Sequence, residues 1–512
     1  MGGEEHGLKG CRSAFLAVAL LCLASPAQAE IARARRATDC EALARLRLPD
    51  VTIGLADAIG PGTFTSPDGE THAVPAFCRI HGEARPTRDS LINFELWLPA
   101  GGWNGRYYQL GNGGFAGRIH YPSLASEVRR LHVVAATDTG HRAGPFDAAW
   151  ALGHPEKIVD FGYRSLKVTS DAASALIRAY YSAPARHRYF VGCSNGGRQA
   201  LMVAQRFPED WDGVLAGAPA HDWTRQLAAI AWIQKALRSD AESWILAAKL
   251  PAIQRAALES CTPAARVVNG VPTDPRSCDF DPAVLERIQN GLRDAATGER
   301  VLFGFEATTA LAEGHWERWM LNAEPSPDAH LAFAEQFFRH MVFDDPNWTI
   351  AELDAGRDLA FALQRPVAGE PLGRVLDAST DLTAFERHGG KLLMYFGWAD
   401  ALLSPRAGVD YYERVTERMG GIERTQTFFR LFMVPGMTHC QGGPAPHAFG
   451  QAGVAPALHD DARHDIRRAL EAWVERGVAP ESIIAAKYLN DDPSQGVAMT
   501  ATLYPLGGSH GR

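Results

Sequence analysis

The stretch YFVGCSNGGRQALMVAQRFPEDW (residues 189–211) places Ser194 in the pattern G-x-S-x-G. A short apolar run leads into this pattern, and a helical pattern begins directly after the serine. That order of strand, sharp turn and helix is the setting in which the pattern exposes a nucleophilic serine at a helix N-terminus. A chance match is the alternative, since the chain contains 49 glycines. Because strand, turn and helix are all present, the stretch favours a nucleophile at Ser194.

Similar apolar runs, rich in β-branched and aromatic residues, recur on both sides of this stretch. They lie at residues 92–99, 107–114, 131–139, 213–220, 391–400 and 429–437. Helical patterns lie between them, for example at residues 165–181 and 196–207. Strands that alternate with helices predict an α/β fold whose mostly parallel sheet is covered by helices on both faces. Together with the serine pattern, this predicts an α/β-hydrolase fold.

Residues 222–388 interrupt the alternation of strands and helices. We interpret them as an inserted lid domain, between a first part of the hydrolase domain at residues 30–221 and a second part at residues 389–512. The tryptophans of this insertion either fill a core without regular strands or form a lid over a flat, apolar ligand. Six of the chain's 12 tryptophans lie here, namely Trp223, Trp232, Trp244, Trp316, Trp319 and Trp348.

Residues 1–29 have the pattern of a secretory signal peptide. Lys9 and Arg12 precede an apolar run at residues 14–24, and the sequence Ala-Gln-Ala at residues 27–29 is a typical cleavage site. We therefore expect a secreted or periplasmic mature chain that is not anchored in a membrane. The net charge of -8 offers no basic face, so no nucleic-acid partner is expected.

A nucleophilic serine needs a base, and the base needs an acid that orients it. In α/β-hydrolases the acid and the histidine follow the serine in that order, on loops after later strands. Asp400 ends the apolar run at residues 391–400, and His439 follows the run at residues 429–437. Taken alone, each is also consistent with an ordinary turn or surface residue. Their order and positions predict a triad of Ser194, Asp400 and His439.

Cysteines adjoin both the predicted nucleophile and the predicted base, since Cys193 precedes Ser194 and Cys440 follows His439. If the serine and the histidine lie within hydrogen-bonding distance, their neighbours come close enough for a disulfide. Such a bond would fix the two catalytic loops to each other. Two unrelated buried cysteines are the alternative, but that reading explains neither adjacency. The other cysteines can pair in several ways, and sequence order alone does not choose among them.

The oxyanion of an acyl-transfer intermediate needs N–H donors. In this fold the residue after the nucleophile, here Asn195, supplies one of them. A glycine-rich loop after an early strand supplies the other, and QLGNGGFAG (residues 109–117) stands in that position. Gly114 or Gly113 is the candidate, and a flexible loop without a catalytic role is the alternative.

Together these motifs resemble the tannase and feruloyl esterase family, which also contains mono(hydroxyethyl) terephthalate hydrolases. The matching stretches include GNGGFAG, ATDTGH, GCSNGGRQALMVAQRFPEDWDGVLAGAPA, MVFDDPNW, GWADALLSP and FMVPGMTHCQGGPAP. The resemblance implies a serine carboxylic-ester hydrolase that cleaves small esters of aromatic acids, such as gallic or hydroxycinnamic acid, without a catalytic cofactor. A terephthalate monoester hydrolase or a general aryl esterase is the alternative among enzymes. An inactive hydrolase-fold binding protein is the alternative outside them.

The resemblance also bears on the lid. Family members commonly carry a calcium loop of the form C-D-x-x-D-G-x-x-D-G after the cysteine that matches Cys261. Here the sequence is CTPAARVVNG, so Thr262, Ala265 and Asn269 stand where carboxylates would be. Calcium prefers several oxygen ligands with carboxylates among them, so this site is expected to be lost or very weak. The disulfides that the resemblance implies are Cys193–Cys440, Cys261–Cys278 within the lid and Cys40–Cys78 at the N-terminal segment.

Overall fold

A computed structural model gives the fold. It describes residues 40–239, 243–262, 267–268, 270–280, 286–293, 297–309, 314, 316–321, 329–451 and 456–508. The predicted signal peptide at residues 1–29 lies outside the described residues, as do Ala265 and Asn269 of the predicted calcium loop.

A nine-stranded sheet forms the centre of the molecule. Its strands are β1 (Val51–Ile59), β2 (Phe77–Ala84), β3 (Ile92–Pro99), β4 (Arg106–Leu110), β5 (Val133–Thr137), β6 (His187–Cys193), β7 (Gly213–Gly217), β8 (Lys391–Gly397) and β9 (Phe429–Val434). They lie side by side in the order β1-β2-β3-β5-β4-β6-β7-β8-β9. The pairs from β5 to β9 in this order are all parallel. The pairs β1–β2, β2–β3 and β3–β5 are antiparallel. The predicted mostly parallel sheet of an α/β-hydrolase fold is therefore confirmed.

Helices and short two-stranded ladders surround this sheet. The ladders pair Gly62–Thr65 with Thr71–Val74, Val267–Val268 with Val271–Pro272, Pro366–Val367 with Glu370–Pro371, and Ile483–Tyr488 with Val497–Leu503. The described helices are α1 (Tyr121–Arg129), α2 (Pro155–Val159), α3 (Ser165–Tyr181), α4 (Asn195–Arg206), α5 (Trp223–Leu237), α6 (Leu250–Glu259), α7 (Glu286–Asn290), α8 (Ala329–Phe337), α9 (Ala355–Gln364), α10 (Leu372–Leu376), α11 (Thr383–His388), α12 (Pro405–Arg418), α13 (Ile422–Thr425) and α14 (Ile466–Arg476).

The two faces of the sheet carry separate hydrophobic cores, because successive side chains of a strand point to opposite faces. In β6, Phe190 packs with Leu176 of α3 and Leu201 of α4. Its neighbour Tyr189 belongs to the other core, with Leu470 of α14. Helices therefore cover both faces, as the alternating pattern predicts.

The chain between β7 and β8 contributes no strand to the nine-stranded sheet in the part that the structure describes. Ile233, Phe305 and Trp316 of this segment belong to a hydrophobic cluster distinct from the two cores of the sheet. No described helix has the length and apolar character that a membrane crossing requires.

Candidate active site

Ser194 lies alone at a sharp turn, between the end of β6 at Cys193 and the start of α4 at Asn195. Its φ of 64° is in a region that non-glycine residues rarely adopt. The backbone holds this conformation from both sides, because the Ser194 N–H donates to Gly217 O at 2.9 Å and its carbonyl accepts from Ala220 N at 3.2 Å. Such strain persists only when the surrounding structure fixes it, which is typical of functional sites.

The glycine before the serine in the pattern is required by close packing at this turn. A Cβ atom on Gly192 would lie 2.4 Å from the carbonyl oxygen of Gly196. Strand and helix could not approach so closely with any other residue at this position. The turn therefore holds Ser194 at the first turn of α4, where helix N–H groups have no partner within the helix.

Asp400 and His439 lie on the loops after β8 and β9, and their side chains are hydrogen-bonded. His439 Nδ1 is 2.7 Å from Asp400 Oδ2. The other carboxylate oxygen of Asp400 accepts the backbone N–H groups of Leu402 and Leu403 at 2.9 and 3.0 Å. The carboxylate is fully buried and the imidazole is 10% exposed. Asp400 is thus fixed by its own loop and in turn orients the imidazole.

Ser194 and His439 line one cavity of about 460 Å³, which we call the main cavity. The structure forms no hydrogen bond between their side chains, and catalytic hydrogen bonds are often long before substrate binds. Asp400 lies behind His439 and does not line this cavity. Besides Ser194 and His439, the wall contains aromatic and polar side chains, namely Phe146, Trp319, Phe333, Asn112, Arg118, His120 and Ser123.

The disulfide Cys193–Cys440 joins the two loops, with a Cα–Cα distance of 6.0 Å and a sequence separation of 247. Both cysteines lie in the wall of the main cavity beside Ser194 and His439. The pairing predicted from their adjacency is confirmed. The two pairings implied by the family resemblance, Cys261–Cys278 and Cys40–Cys78, are also formed.

The candidate oxyanion donors come from two segments, the start of α4 and the glycine-rich loop after β4. Asn195 is the first residue of α4. In the glycine-rich loop, the amides of Gly113 and Gly114 form no hydrogen bond to any residue that the structure describes, and Gly114 has a φ of 57°. The remaining amides of the loop donate to groups elsewhere, namely those of Gly111, Asn112, Phe115, Ala116 and Gly117. The amides of Gly114 and Asn195 therefore stay the candidates.

With this geometry in place, comparisons with known proteins give the family. The model of the family described as tannase and feruloyl esterase matches residues 78–287 and 283–509. The chain belongs to this family.

The chain has relatives whose names describe them as esterases. An uncharacterized esterase of Xanthomonas campestris is 44% identical, over 91% of this chain and 87% of the relative. A probable feruloyl esterase B-2 of Aspergillus terreus is 28% identical, over 87% of each chain. The crystal structure of feruloyl esterase B from Aspergillus oryzae shares the fold, with a TM-score of 0.82, 24% identity and coverage of 92% of this chain and 96% of that one. The chain is a carboxylic ester hydrolase.

Arg198 of this esterase is a residue of the site region that sequence reasoning missed. Its side chain is fully buried on α4. Its Nε donates to Asn195 Oδ1 at 2.8 Å, and its other nitrogens donate to three backbone carbonyls. Those acceptors are Phe161 O, Gly162 O and Leu376 O, at 3.0, 3.1 and 3.3 Å. No sequence pattern marks this role, because the acceptors come from distant parts of the chain.

A buried histidine also lies close to the proposed triad. His330 of α8 is fully buried, and its Nε2 lies 3.2 Å from the carbonyl oxygen of Leu402, two residues after Asp400. Burial lowers the pKa of His330 to about 4, so its imidazole is neutral at pH 7. His330 thus supports the Asp400 loop without adding a charge to it.

In the segment between Cys261 and Cys278 of this esterase, residues 263–266 and 269 lie outside the described residues. Asp274 is a carboxylate within it, but both of its oxygens already bond to Arg276, at 2.6 Å for the Nη2–Oδ2 pair. Among the described residues no group of three or more His, Cys, Asp or Glu side chains is arranged to hold a metal.

Proposed function

We propose that this chain is a secreted serine esterase that cleaves esters of aromatic acids of the feruloyl or galloyl type. Ser194 is the proposed nucleophile, His439 the base and Asp400 the acid that orients the base. The observation that carries the proposal is the 2.7 Å contact between His439 and Asp400 at the wall of the cavity that Ser194 also lines.

The reaction proceeds in two halves through an acyl-enzyme. Ser194 Oγ attacks the ester carbonyl while His439 Nε2 takes its proton, and Asp400 stabilises the imidazolium that forms. The N–H groups of Gly114 and Asn195 hold the oxyanion. His439 then gives the proton to the leaving alcohol. Water, activated by His439 in the same way, releases the acid and restores Ser194.

An aromatic acyl group is supported by the side chains around the reaction centre. Phe146, Trp319 and Phe333 line the main cavity, and aromatic walls favour flat ring systems through stacked and edge-to-face contacts. Trp319 and Phe333 come from the segment at residues 222–388, which supports its role as a lid. The names of the relatives point to feruloyl esters as well.

Secretion is supported by the three disulfides of the described chain. Disulfides persist in oxidising compartments outside the cytosol, and the predicted leader at residues 1–29 would provide the route there.

We propose further that the loop after Cys261 binds no calcium and that its disulfide alone holds it. Addition of EDTA to the purified protein is then expected to leave its Tm unchanged, and a fall in Tm that calcium reverses would contradict this.

The test is hydrolysis of a small panel of esters by the purified mature protein. The panel contains methyl ferulate, methyl gallate, mono(hydroxyethyl) terephthalate and 4-nitrophenyl butyrate. Ser194→Ala should lower kcat by about 1,000-fold or more, because it removes the nucleophile. Ser174→Ala is the matched control, since it removes a serine hydroxyl that bonds only to Ser170 O within α3.

The base has its own matched control. His464 and Asp461 form a pair with an Nδ1–Oδ1 distance of 2.8 Å on the surface, similar to the His439–Asp400 pair. His439→Ala should abolish turnover, whereas His464→Ala should retain it.

Preference for mono(hydroxyethyl) terephthalate or for the nitrophenyl ester would replace the feruloyl or galloyl assignment with a terephthalate or general aryl esterase. Turnover that survives in Ser194→Ala, or no turnover of any ester by the folded protein, would refute the mechanism.

A further inference from the structure

A second pocket adjoins the same reaction centre, and we call it the side pocket. Ser194 and Gly114 line both the side pocket and the main cavity. Phe333 and Leu402 also line both, so these two side chains form the wall between them. The rest of the side pocket is Ala220, Trp223, Gln226, Leu227, Ile230 and Leu403.

If the proposed function is taken as the basis, the position of His439 indicates which half of the ester lies in the main cavity and which half extends toward the side pocket. His439 lines the main cavity but not the side pocket. The leaving alcohol takes its proton from His439 and therefore lies in the main cavity. The acyl half then extends from Ser194 toward the side pocket.

Apart from Ser194, Gln226 supplies the polar side chain of a pocket whose other lining residues are mostly apolar. It lies on the face of α5 that also presents Ile230, and its residue is only 2% exposed. Neither Nε2 nor Oε1 of its side chain has a hydrogen-bond partner among the residues that the structure describes. The indole Nε1 of Trp223, which lines the same pocket, is likewise buried without a partner there.

Buried polar groups in native proteins are almost always hydrogen-bonded, because leaving one unpaired costs stability. An unpaired amide beside a nucleophile, in an apolar pocket, is the arrangement by which binding sites recognise a polar substituent of a ligand. A side-chain amide offers one acceptor and one donor group, and a hydroxyl can bond to both at once.

We propose that Gln226 binds a hydroxyl group on the acyl half of the substrate, and so makes this esterase selective for hydroxylated aromatic acids. The side pocket is narrow, with about 20 Å³ open in this structure. That is room for one water-sized group, which is the size of a hydroxyl. The ring that carries the hydroxyl then packs against Phe333 and Leu402, the wall between the two spaces.

The test compares ester pairs that differ by one hydroxyl: methyl 4-hydroxycinnamate with methyl cinnamate, and methyl 4-hydroxybenzoate with methyl benzoate. The wild-type protein should prefer a hydroxylated member by about 100-fold or more in kcat/KM, because a site built to bond a hydroxyl rejects the analogue that lacks it. Gln226→Leu, which keeps the size and removes the polar atoms, should reduce this ratio to about 3-fold or less. It should also raise kcat/KM for the ester without the hydroxyl.

Gln234→Leu is the matched control on the same helix. Gln234 is also fully buried, but its Nε2 has a partner in Met320 O at 3.2 Å. Its loss should lower Tm and leave the preference ratio unchanged. Gln226→Leu should not lower Tm, since it removes a buried amide without a partner. Gln226→Met provides a second variant of similar size if the leucine variant does not fold.

The possible results distinguish a failure of the proposed role of Gln226 from a failure of the proposed esterase function, on which that role rests. A ratio that stays the same in folded Gln226→Leu, or a wild-type protein that cleaves aromatic esters without preferring the hydroxyl, overturns the role of Gln226 alone. A wild-type protein that cleaves 4-nitrophenyl butyrate but no aromatic acid ester overturns the proposed function and this inference with it.

Discussion

The disulfide between Cys193 and Cys440 joins two residues 247 positions apart, and each of them is next in sequence to a proposed catalytic residue. The disulfide therefore holds the two loops together covalently, whereas a hydrogen bond holds His439 against Asp400. The loop after β6 and the loop after β9 cannot separate without breaking it.

Removal of this disulfide should affect both stability and turnover. In the chain-entropy model, closing a loop of this length contributes about 5 kcal/mol to the free energy of unfolding. Cys193→Ala/Cys440→Ala should therefore lower Tm in thermal unfolding and also lower kcat in the ester assay. Cys40→Ala/Cys78→Ala is the control, since that bond lies away from the main cavity. It should lower Tm but leave kcat of the folded protein unchanged. Equal effects of the two double variants on kcat would contradict the role of the Cys193–Cys440 bond.

Two adjacent glycines of the loop after β4 should differ sharply in their tolerance of alanine. A Cβ atom on Gly114 would lie 2.2 Å from the carbonyl oxygen of Pro145, and its φ of 57° is strained for alanine. A Cβ atom on Gly113 would meet nothing within 4 Å. Gly114→Ala should lower kcat by about 100-fold by displacing an oxyanion donor. Gly113→Ala is the control and should stay close to wild type, and an equal loss of kcat in both variants would contradict a specific role of Gly114.

Replacement of Arg198 should destabilise the protein strongly. Arg198→Met removes a buried guanidinium from Asn195 Oδ1 and three backbone carbonyls, which are then left without that partner. The free energy of unfolding, measured by urea titration, should fall by at least about 3 kcal/mol. Arg414→Met is the control because its ion pair with Asp410 lies on the surface. That change should stay within about 0.5 kcal/mol of wild type.

The buried His330 makes stability depend on pH. Burial lowers its pKa in the folded protein to about 4, below the ordinary value of 6.5. The unfolded chain therefore binds more protons between these values, and stability is lost as the pH falls from 6.5 toward 4. At pH 4 the free energy of unfolding has fallen by about 3 kcal/mol through this histidine alone, relative to its value above pH 6.5.

His330→Gln tests this, because the glutamine amide can still donate to Leu402 O without titrating. The difference in unfolding free energy between wild type and variant should shift in favour of the variant as the pH falls from 6.5 to 4. A difference that stays constant over this range would show that His330 does not cause the loss.

Several features of the fold and the site were predictable from local sequence. The helical pattern at residues 165–181 coincides with α3, because its apolar spacing reflects one buried face. The predicted strands at residues 107–114 and 391–400 end earlier, at Leu110 and Gly397, since their last residues form the glycine-rich loop and the loop that carries Asp400. The strands β1 and β2 were not predicted, because their half-buried residues give a weaker pattern than those of the central strands.

The sequence by itself determined the turn at Ser194, the family and the Cys193–Cys440 pair. The turn depends on consecutive residues, and each of the two cysteines adjoins a predicted catalytic residue in the chain. Only the tertiary structure decided that Arg198 would be buried among carbonyls and that the Gln226 amide would have no hydrogen-bond partner among the described residues. Burial and hydrogen bonding are properties of surroundings that come from distant segments. The contacts of α4 and α5 with residues far away in sequence therefore gave these two side chains roles that no local pattern could show.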